Sequence, residues 1–344
     1  MKILWHVSSH GWGHAARQKE LIRVYRQSHP GTVVTVASDV PRWFWDGSEI
    51  NSVVSGSPSP VVIERDGNIH AGATLVHYRK FLKNTTGYLK AEVLKQQKIK
   101  PDIIVTDIDP IPVKAAEITG VPALGVGNFT WDWIMKQMFP RMAGEAAQIT
   151  AMYKHGTYLK LPMGPDHSPF HSTVDAPLLR GGPPGYPERA APLLPPGKCC
   201  LIALRDAPTG ISLALPEGVC AVSSLPEPVH RNCFNIAPSA LAAAGATFSD
   251  LAQACDVLIS KPGYGIISQI LAMGKKAVLL TGRQFPEESY LLSALTGRPG
   301  IVLVGKQSSV SVQEAVAILL KQNSPSSADS NGADCIASLI ATVY

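Results

Sequence analysis

The stretch DVLISKPGYGIISQILAMGKKAVLL, Asp256 to Leu280, decides how the chain is read. It runs as an apolar strand (Val257-Leu258-Ile259), a tight loop (Ser260-Lys261-Pro262-Gly263-Tyr264-Gly265), a helix (Ile266 to Met273) stopped at Gly274, and a second strand (Ala277 to Leu280). That succession is a βαβ unit whose loop, at the carboxyl end of a strand, offers helix N-terminal amides to an anion. Gly263 and Gly265 let the backbone approach a ligand with no Cβ in the way. The expected ligand therefore carries phosphate. A second glycine turn, Ser8-Ser9-His10-Gly11-Trp12-Gly13-His14, follows the first strand of the chain, and two such loops predict two domains.

Composition fits that division. The 344 residues are enough for two domains, each with its own core. A hydrophobic content of 45% with 17% charge describes a globular chain, and the net charge of +5 is modest. No long Lys/Arg run and no interleaved aromatic stripe supports nucleic acid binding, whereas anionic substrates or a peripheral membrane contact stay open. The cysteines, Cys199, Cys200, Cys220, Cys233, Cys255 and Cys335, lack metal-ligand spacing and are expected as reduced residues of a cytoplasmic protein. The opening strand Lys2 to Val7 is too short and mixed for a signal peptide, and no segment has the length of a transmembrane helix.

The first half alternates strand and helix. Ala15 to Gln27 predicts a helix with an apolar side (Ala16, Leu21, Val24, Tyr25) and a polar one (Arg17, Lys19, Glu20, Arg23, Arg26). Val33 to Ala37 predicts a buried strand, Thr74 to Gln97 a long helix with a positive, solvated face, Ile103 to Val105 a strand, Ile111 to Thr119 a helix ended by Gly120, and Ala123 to Val126 a strand. Such alternation argues for a parallel sheet covered on both faces, with ligands beyond the carboxyl ends of its strands. His14, beginning the first helix, is a candidate general base or a histidine that bonds only its loop, and His10 competes for the same role. Asp107 either orients that imidazole or caps the following helix. Asn128, Trp131 and Asp132 sit after the next strand. Trp131 and Asp132 could hold an acceptor sugar by stacking and hydrogen bonding, or pack internally.

Leu161 to Lys198 is rich in proline and glycine and predicts no compact element, so residues 180–197 are expected as the interdomain linker between an N-terminal domain (1–179) and a C-terminal one (198–330), with a last helix over 331–344. The second domain is expected to run through strand Cys200 to Leu204, a loop with Arg205 as a second phosphate contact, strand Val219 to Val222, a helix near Phe248 to Ala254, the opening βαβ unit, strand Ile301 to Val304 and helix Val312 to Leu320.

Two doubly wound domains with a base on the first loop and a phosphate loop late in the second resemble the GT-B glycosyltransferases. GWGHAAR (Gly11 to Arg17) is similar to the GxGHxxR signature of the glycosyltransferase-like N-terminal region of plant L-arabinokinases and of the nucleotide-sugar hydrolase of pseudaminic acid synthesis. Pro101 to Ile134, and Asp256 through Lys261-Pro262-Gly263-Tyr264-Gly265 to Glu288, also resemble that arabinokinase region. A weaker similarity reaches the N-acetylglucosaminyltransferase of peptidoglycan synthesis. The resemblance implies an α/β fold of two Rossmann-like parallel-sheet domains facing a cleft. By it, Gly11 and Gly13 lie at the donor, Gly263, Tyr264, Gly265 and Ser268 surround a donor diphosphate, Glu287 and Glu288 face the donor sugar, and Gln269 stands where relatives use Glu to hold the ribose hydroxyls. The loop after Leu204 lacks the Gly-Gly-Ser type sequence common in the superfamily. No GHMP-type kinase sequence follows, so kinase activity is not implied.

The expected activity is a metal-independent, inverting transfer of a hexosyl or N-acetylhexosaminyl group from a nucleoside-diphosphate sugar, UDP-linked, to an acceptor hydroxyl. It needs no cofactor beyond the co-substrate, and with no D-x-D motif read in the chain to hold a divalent ion, helix-end amides carry the diphosphate charge. Water in place of the acceptor would make a nucleotide-sugar hydrolase, and loss of catalysis a sugar-nucleotide sensing module. Both alternatives stay open, because a fold does not settle chemistry.

Overall fold

The computed structural model describes residues 1–344 apart from 9–11, 46–48, 66–67, 205–209, 226–232, 283–284, 329–331 and 344. The chain divides into two compact units: Met1–Ile63 with His70–Gly181 and Ser330–Tyr344, and Glu64–Ile69 with Gly182–Asp329.

The first unit holds a seven-stranded parallel sheet made by β1 (Lys2–His6), β2 (Val33–Ala37), β3 (Ser52–Val54), β6 (Ile103–Thr106), β7 (Ala123–Gly127), β8 (Thr157–Lys160) and β9 (Ser172–Asp175), in the order β3-β2-β1-β6-β7-β8-β9. Its helices are α1 (Trp12–Ser28), α2 (Ala71–Ile99), α3 (Pro110–Thr119), α4 (Trp131–Met138), α5 (Ala143–Met152) and α12 (Gly332–Val343). The four residues of β6 and the five of β7 are all buried, the unbroken apolar run expected of strands covered on both faces. α3 starts at Pro110, whose missing N–H costs nothing at that position, and ends at Gly120 in the left-handed region (φ 72°).

The second unit repeats the plan. Its six strands, β10 (Lys198–Ala203), β11 (Val219–Ser223), β12 (Cys233–Asn235), β13 (Val257–Ser260), β14 (Ala277–Leu280) and β15 (Ile301–Val304), run parallel in the order β12-β11-β10-β13-β14-β15. The helices are α6 (Pro187–Ala190), α7 (Pro238–Ala243), α8 (Phe248–Ala254), α9 (Tyr264–Met273), α10 (Glu288–Ser293) and α11 (Val312–Leu320). Reciprocal capping boxes, Thr247 with Asp250 and Ser311 with Glu314, open α8 and α11. The short antiparallel hairpin of β4 (Glu64–Arg65) and β5 (Asn68–Ile69) groups with this unit although its sequence lies within the first. Each sheet steps outward from its first strand to one edge, then returns to that strand and steps to the other edge, which is the doubly wound pattern.

Three boundaries differ from the sequence expectation. α9 begins at Tyr264, not Ile266, so Gly263 is its N-cap and Gly265 lies in its first turn. The proline- and glycine-rich run expected as a linker over 180–197 is structured from Gly182 onward within the second unit: Pro187 opens α6, the Tyr186 N–H donates to Asp250 Oδ1 at 2.5 Å, and a Cβ on Gly185 would come within 2.5 Å of the Ser249 carbonyl oxygen. Glycine there is what lets the segment lie on α8. The last helix is no separate appendage, because α12 packs on α1 and belongs to the first unit. β9, unforeseen in a polar, proline-flanked stretch, has all four residues exposed and is held by its ladder to β8.

Candidate functional site

Strand ends β1, β6 and β7 and the start of α1 bring together residues far apart in sequence. Asp107, wholly buried, accepts from His14 Nδ1 (2.7 Å), from Arg17 Nη2 (2.5 Å) and from Gln18 Nε2 (3.2 Å). Burial alone would raise the Asp107 pKa, but the charges of His14 and Arg17 and their hydrogen bonds outweigh it and hold the carboxyl at about 2. An ionised carboxylate can only accept, so Nδ1 of His14 carries the proton and Nε2 is the basic nitrogen. Arg17 Nη2 also lies 3.2 Å from His14 Nδ1, and Nη1 donates to Asn128 Oδ1 at 3.3 Å. Gln18 is fixed in turn by Trp5, whose Nε1 donates to Gln18 Oε1 at 2.9 Å. The imidazole, 14% exposed, meets the Phe129 ring edge-on at 6.0 Å between centroids.

This corrects the expectation for α1. Arg17 and Glu20 were expected on the polar side of the helix, yet both are only 2% exposed, and Gln18 is 0% exposed. Helical periodicity separates polar from apolar positions, but it cannot tell a polar face turned to water from one turned to a buried carboxylate. Arg17, Gln18 and Trp5 are the members of the network that sequence reasoning missed. The signal for Arg17 was present in GWGHAAR, which ends on it.

Asp107-Ile108-Asp109 does have the D-x-D spacing of a metal pair, which corrects the reading that the chain lacks one. The two carboxyls are in different states. Asp109 is raised to about 8, chiefly by burial, with Ser59 and Trp131 pulling the other way, so it is protonated at neutral pH. Asp107 is engaged by a guanidinium and an imidazole. A protonated acid and a saturated carboxylate are a poor donor set for a cation. Between them Ile108 takes φ 61°, a left-handed conformation that a β-branched residue adopts only when its surroundings impose it. They do: the Tyr153 hydroxyl donates to the Ile108 carbonyl, and Ile108 Cγ2 occupies the space where Gly127 has no Cβ.

Trp131 and Asp132, expected at an acceptor, are interior. Asp132 is fully buried and accepts from Thr130 Oγ1 (2.6 Å), Thr150 Oγ1 (2.8 Å), His167 Nε2 (2.9 Å) and Lys136 Nζ (3.1 Å), which ties α4 to α5 and to the chain beyond β8. Burial raises the Asp132 carboxyl, and these partners more than offset that, holding it at about 2. Trp131 is 0% exposed and packs edge-on against Phe129 at 5.6 Å. The internal alternative is the one this geometry fits.

In the second unit the phosphate-loop candidates surround the N-terminus of α9. Gly263 has φ −154°, extended backbone that any residue adopts, and a Cβ there would meet nothing within 4 Å. Neither backbone strain nor packing within the unit calls for glycine at 263. The amides of Tyr264, Gly265 and Ile266 lie in the first turn of the helix. Pro262 and Tyr264 are buried, and Lys261 Nζ lies 3.4 Å from Glu64 Oε2 of the hairpin. Ser268 is buried and donates back to the Gly265 carbonyl at 3.0 Å. The Gln269 amide nitrogen donates to Ser249 Oγ at 2.5 Å. Glu288, 8% exposed, accepts the Gly282 N–H at 2.7 Å, and Gly282 itself needs its positive φ of 106° to make that turn. Glu287, 7% exposed, precedes α10. His10, Gly11 and Arg205 lie outside the described residues, while Gly13 is in the first turn of α1 with open space at its Cβ position.

Comparison with known proteins agrees with this architecture. Residues 1–166 match the family model described as Glycosyl transferase family 1. The L-arabinokinase of Arabidopsis thaliana is 28% identical over 316 residues, which is 85% of this chain but only 29% of the plant protein. The glycosyltransferase SsfS6 of Streptomyces sp. SF2575 superposes with a TM-score of 0.59 at 17% identity, covering 99% of this chain and 96% of that one. The spinosyn rhamnosyltransferase SpnG, complexed with thymidine diphosphate, gives 0.58 at 14% identity over 100% of this chain and 96% of its own. The chain is therefore built on the GT-B fold of the glycosyltransferases, and its first 166 residues carry the sequence pattern of glycosyl transferase family 1.

Proposed function

We propose that the chain transfers a sugar from a nucleoside-diphosphate sugar to an acceptor hydroxyl, with inversion and without a metal ion. The observation that carries this reading is the 2.7 Å contact between His14 Nδ1 and an ionised, fully buried Asp107. Nε2 of His14 takes the acceptor proton, the acceptor oxygen attacks the anomeric carbon, and the bond to the diphosphate breaks on the opposite side. Asp107 stabilises the imidazolium that forms, and Arg17 keeps Asp107 ionised. The diphosphate charge falls to the first-turn amides of α9, where the open space over Gly263 admits a phosphate. UDP is the proposed nucleotide, hexosyl or N-acetylhexosaminyl the proposed group, and the cytoplasm the proposed place. Thymidine diphosphate, the ligand of SpnG, is the competing nucleotide.

A second reading, a sugar-nucleotide binding module without transfer, is favoured by one observation. The Gln269 amide and the Glu288 carboxylate, expected at ribose and sugar, are each engaged within their own unit. Calorimetry with UDP, GDP and thymidine diphosphate, with donor consumption followed in wild type and His14→Ala, separates the readings. Nucleotide binding in both proteins with donor loss only in wild type supports transfer, and acceptor dependence of that loss separates transferase from hydrolase. Binding without turnover under any acceptor condition moves the function to the module. No nucleotide binding removes both.

A further inference from the structure

The solvent side of α2 is charged with one sign only. Arg79, Lys80, Lys83, Lys90 and Lys98 are all exposed, while the helix's single acid, Glu92, is 1% exposed and paired beneath with His6 (3.1 Å) and Lys95 (2.8 Å). At about 3.6 residues per turn, Val76, Lys83, Lys90 and Leu94 fall in one line along the helix, with Arg79 on one flank and Lys80 and Lys98 on the other, over about 33 Å. Val76 and Leu94, on that midline, are 68% and 56% exposed. A helix face meant only for water interleaves acids with bases and gains from pairs three or four residues apart. Here Arg79 and Lys83, four apart, repel each other with no acid beside them on the helix.

We propose that this face of α2 docks on an anionic lipid surface, with the cations over the headgroups and Val76 and Leu94 entering the boundary beneath them. A straight, one-sided row of cations matches a flat negative partner, and each Lys or Arg held near such a surface gives about a five-fold gain in partitioning. Nucleic acid fits less well, because the face lacks an exposed ring for bases to stack on: Tyr78 and Phe81 are buried and Tyr88 is half-buried. The proposal is independent of the catalytic reading, since none of these residues belongs to the His14 network or to the start of α9.

The test is co-sedimentation of the full chain with vesicles of phosphatidylcholine and with vesicles of equal phosphatidylcholine and phosphatidylglycerol, at low and at physiological salt. Wild type is expected to bind only the mixed vesicles and to bind less as salt shortens the screening length. Lys83→Gln with Lys90→Gln is expected to weaken that binding about thirty-fold. Val76→Ser with Leu94→Ser is expected to abolish what binding survives at physiological salt. Unchanged thermal unfolding shows that both doubly substituted proteins are folded, as exposed positions predict. Equal binding to both vesicle types, no binding at low salt, or full binding by the lysine double variant overturns the proposal. So does displacement by a single-stranded RNA oligonucleotide together with full binding by the serine variant, which would assign the face to nucleic acid.

Discussion

The two units share one winding but treat charge at their strand ends in opposite ways. Beyond β1, β6 and β7 the first unit gathers an imidazole, a guanidinium and a carboxylate within 3.2 Å contacts of one another, deep enough that Asp107 and Arg17 are 0% and 2% exposed. At the corresponding end of β13 the second unit offers helix-end amides, the Tyr264 ring and a Gln269 amide bonded to a serine, and its cation there, Lys261, sits 3.4 Å from the part-exposed carboxylate of Glu64. In the proposed reading, the same order of strands thus supports a site that holds and moves a proton and another that receives charge. The loops and first helical turns decide the chemistry, and the sheet supplies the place for it.

The largest expected effect tests that division directly. His14→Ala is expected to slow donor turnover by about 10²–10⁴ with nucleotide affinity unchanged, because a general base contributes that range and His14 lies on the first unit alone. Asp107→Asn is expected to fall in the same range, since the amide no longer selects the Nδ1–H tautomer. It should also cost stability, because Arg17 loses its carboxylate while staying buried. Single-turnover donor cleavage and calorimetry on the same samples check both. A His14→Ala protein that turns over normally while losing nucleotide affinity would reverse the roles assigned to the two units.

Much of the framework was legible because the first-read signals are local. β13, the stop of α9 at Gly274, β14, α8 and α11 lie where apolar runs and glycine predicted them. The site was legible only in parts. His14 and Asp107 could each be named, yet their meeting spans 93 residues of sequence and depends on β1 and β6 pairing in register. Arg17 and Gln18 were hidden because a polar helix face looks the same whether it faces water or Asp107. Asp132 was overread: a polar residue after a strand end looks like a ligand contact until Thr130, Thr150, Lys136 and His167 are seen around it.

Gly127→Ala probes how tightly the first unit's network is braced. The new methyl would fall inside contact distance of Ile108 Cγ2, and Ile108 is pinned through its carbonyl by Tyr153, so neither side can yield cheaply. A loss of about 3 kcal/mol is expected in denaturant unfolding, at the upper end of overpacking costs. Gly263→Ala, where the Cβ meets nothing, is expected within about 0.5 kcal/mol of wild type in stability while weakening nucleotide binding. Asp109 gives the first unit a pH signature. Its folded pKa of about 8 lies above the ordinary aspartate value of 3.8, so the folded chain keeps a proton that the unfolded chain releases. The associated stability is full below about pH 4 and is lost as pH rises through about 8. Asp109→Asn is expected to flatten that slope and to gain on wild type as pH rises toward about 8.5, read from urea midpoints across pH. An unchanged slope would mean that Asp109 is ionised inside the fold.

The smallest effect bears on the second unit and on whether the amide at 269 is functional. Gln269 is 4% exposed, and its amide nitrogen donates to Ser249. Gln269→Glu exchanges that donor for a second acceptor, which Ser249 can still satisfy by turning its own hydroxyl to donate. The cost to the fold includes desolvating a buried carboxylate, about 1–3 kcal/mol. A carboxylate at 269 can also accept from two ribose hydroxyls at once. If the start of α9 receives a nucleotide, the substitution is expected to tighten nucleoside-diphosphate binding about ten-fold, and to tighten a 2′-deoxy nucleotide less, since one hydroxyl is missing. Calorimetry with UDP and 2′-deoxy-UDP reads both. Equal gains for the two nucleotides would place the ribose elsewhere. No gain for either would mean that Ser249 holds residue 269 for the packing of α8 on α9, and the contrast between the units would then rest on the helix-end amides alone.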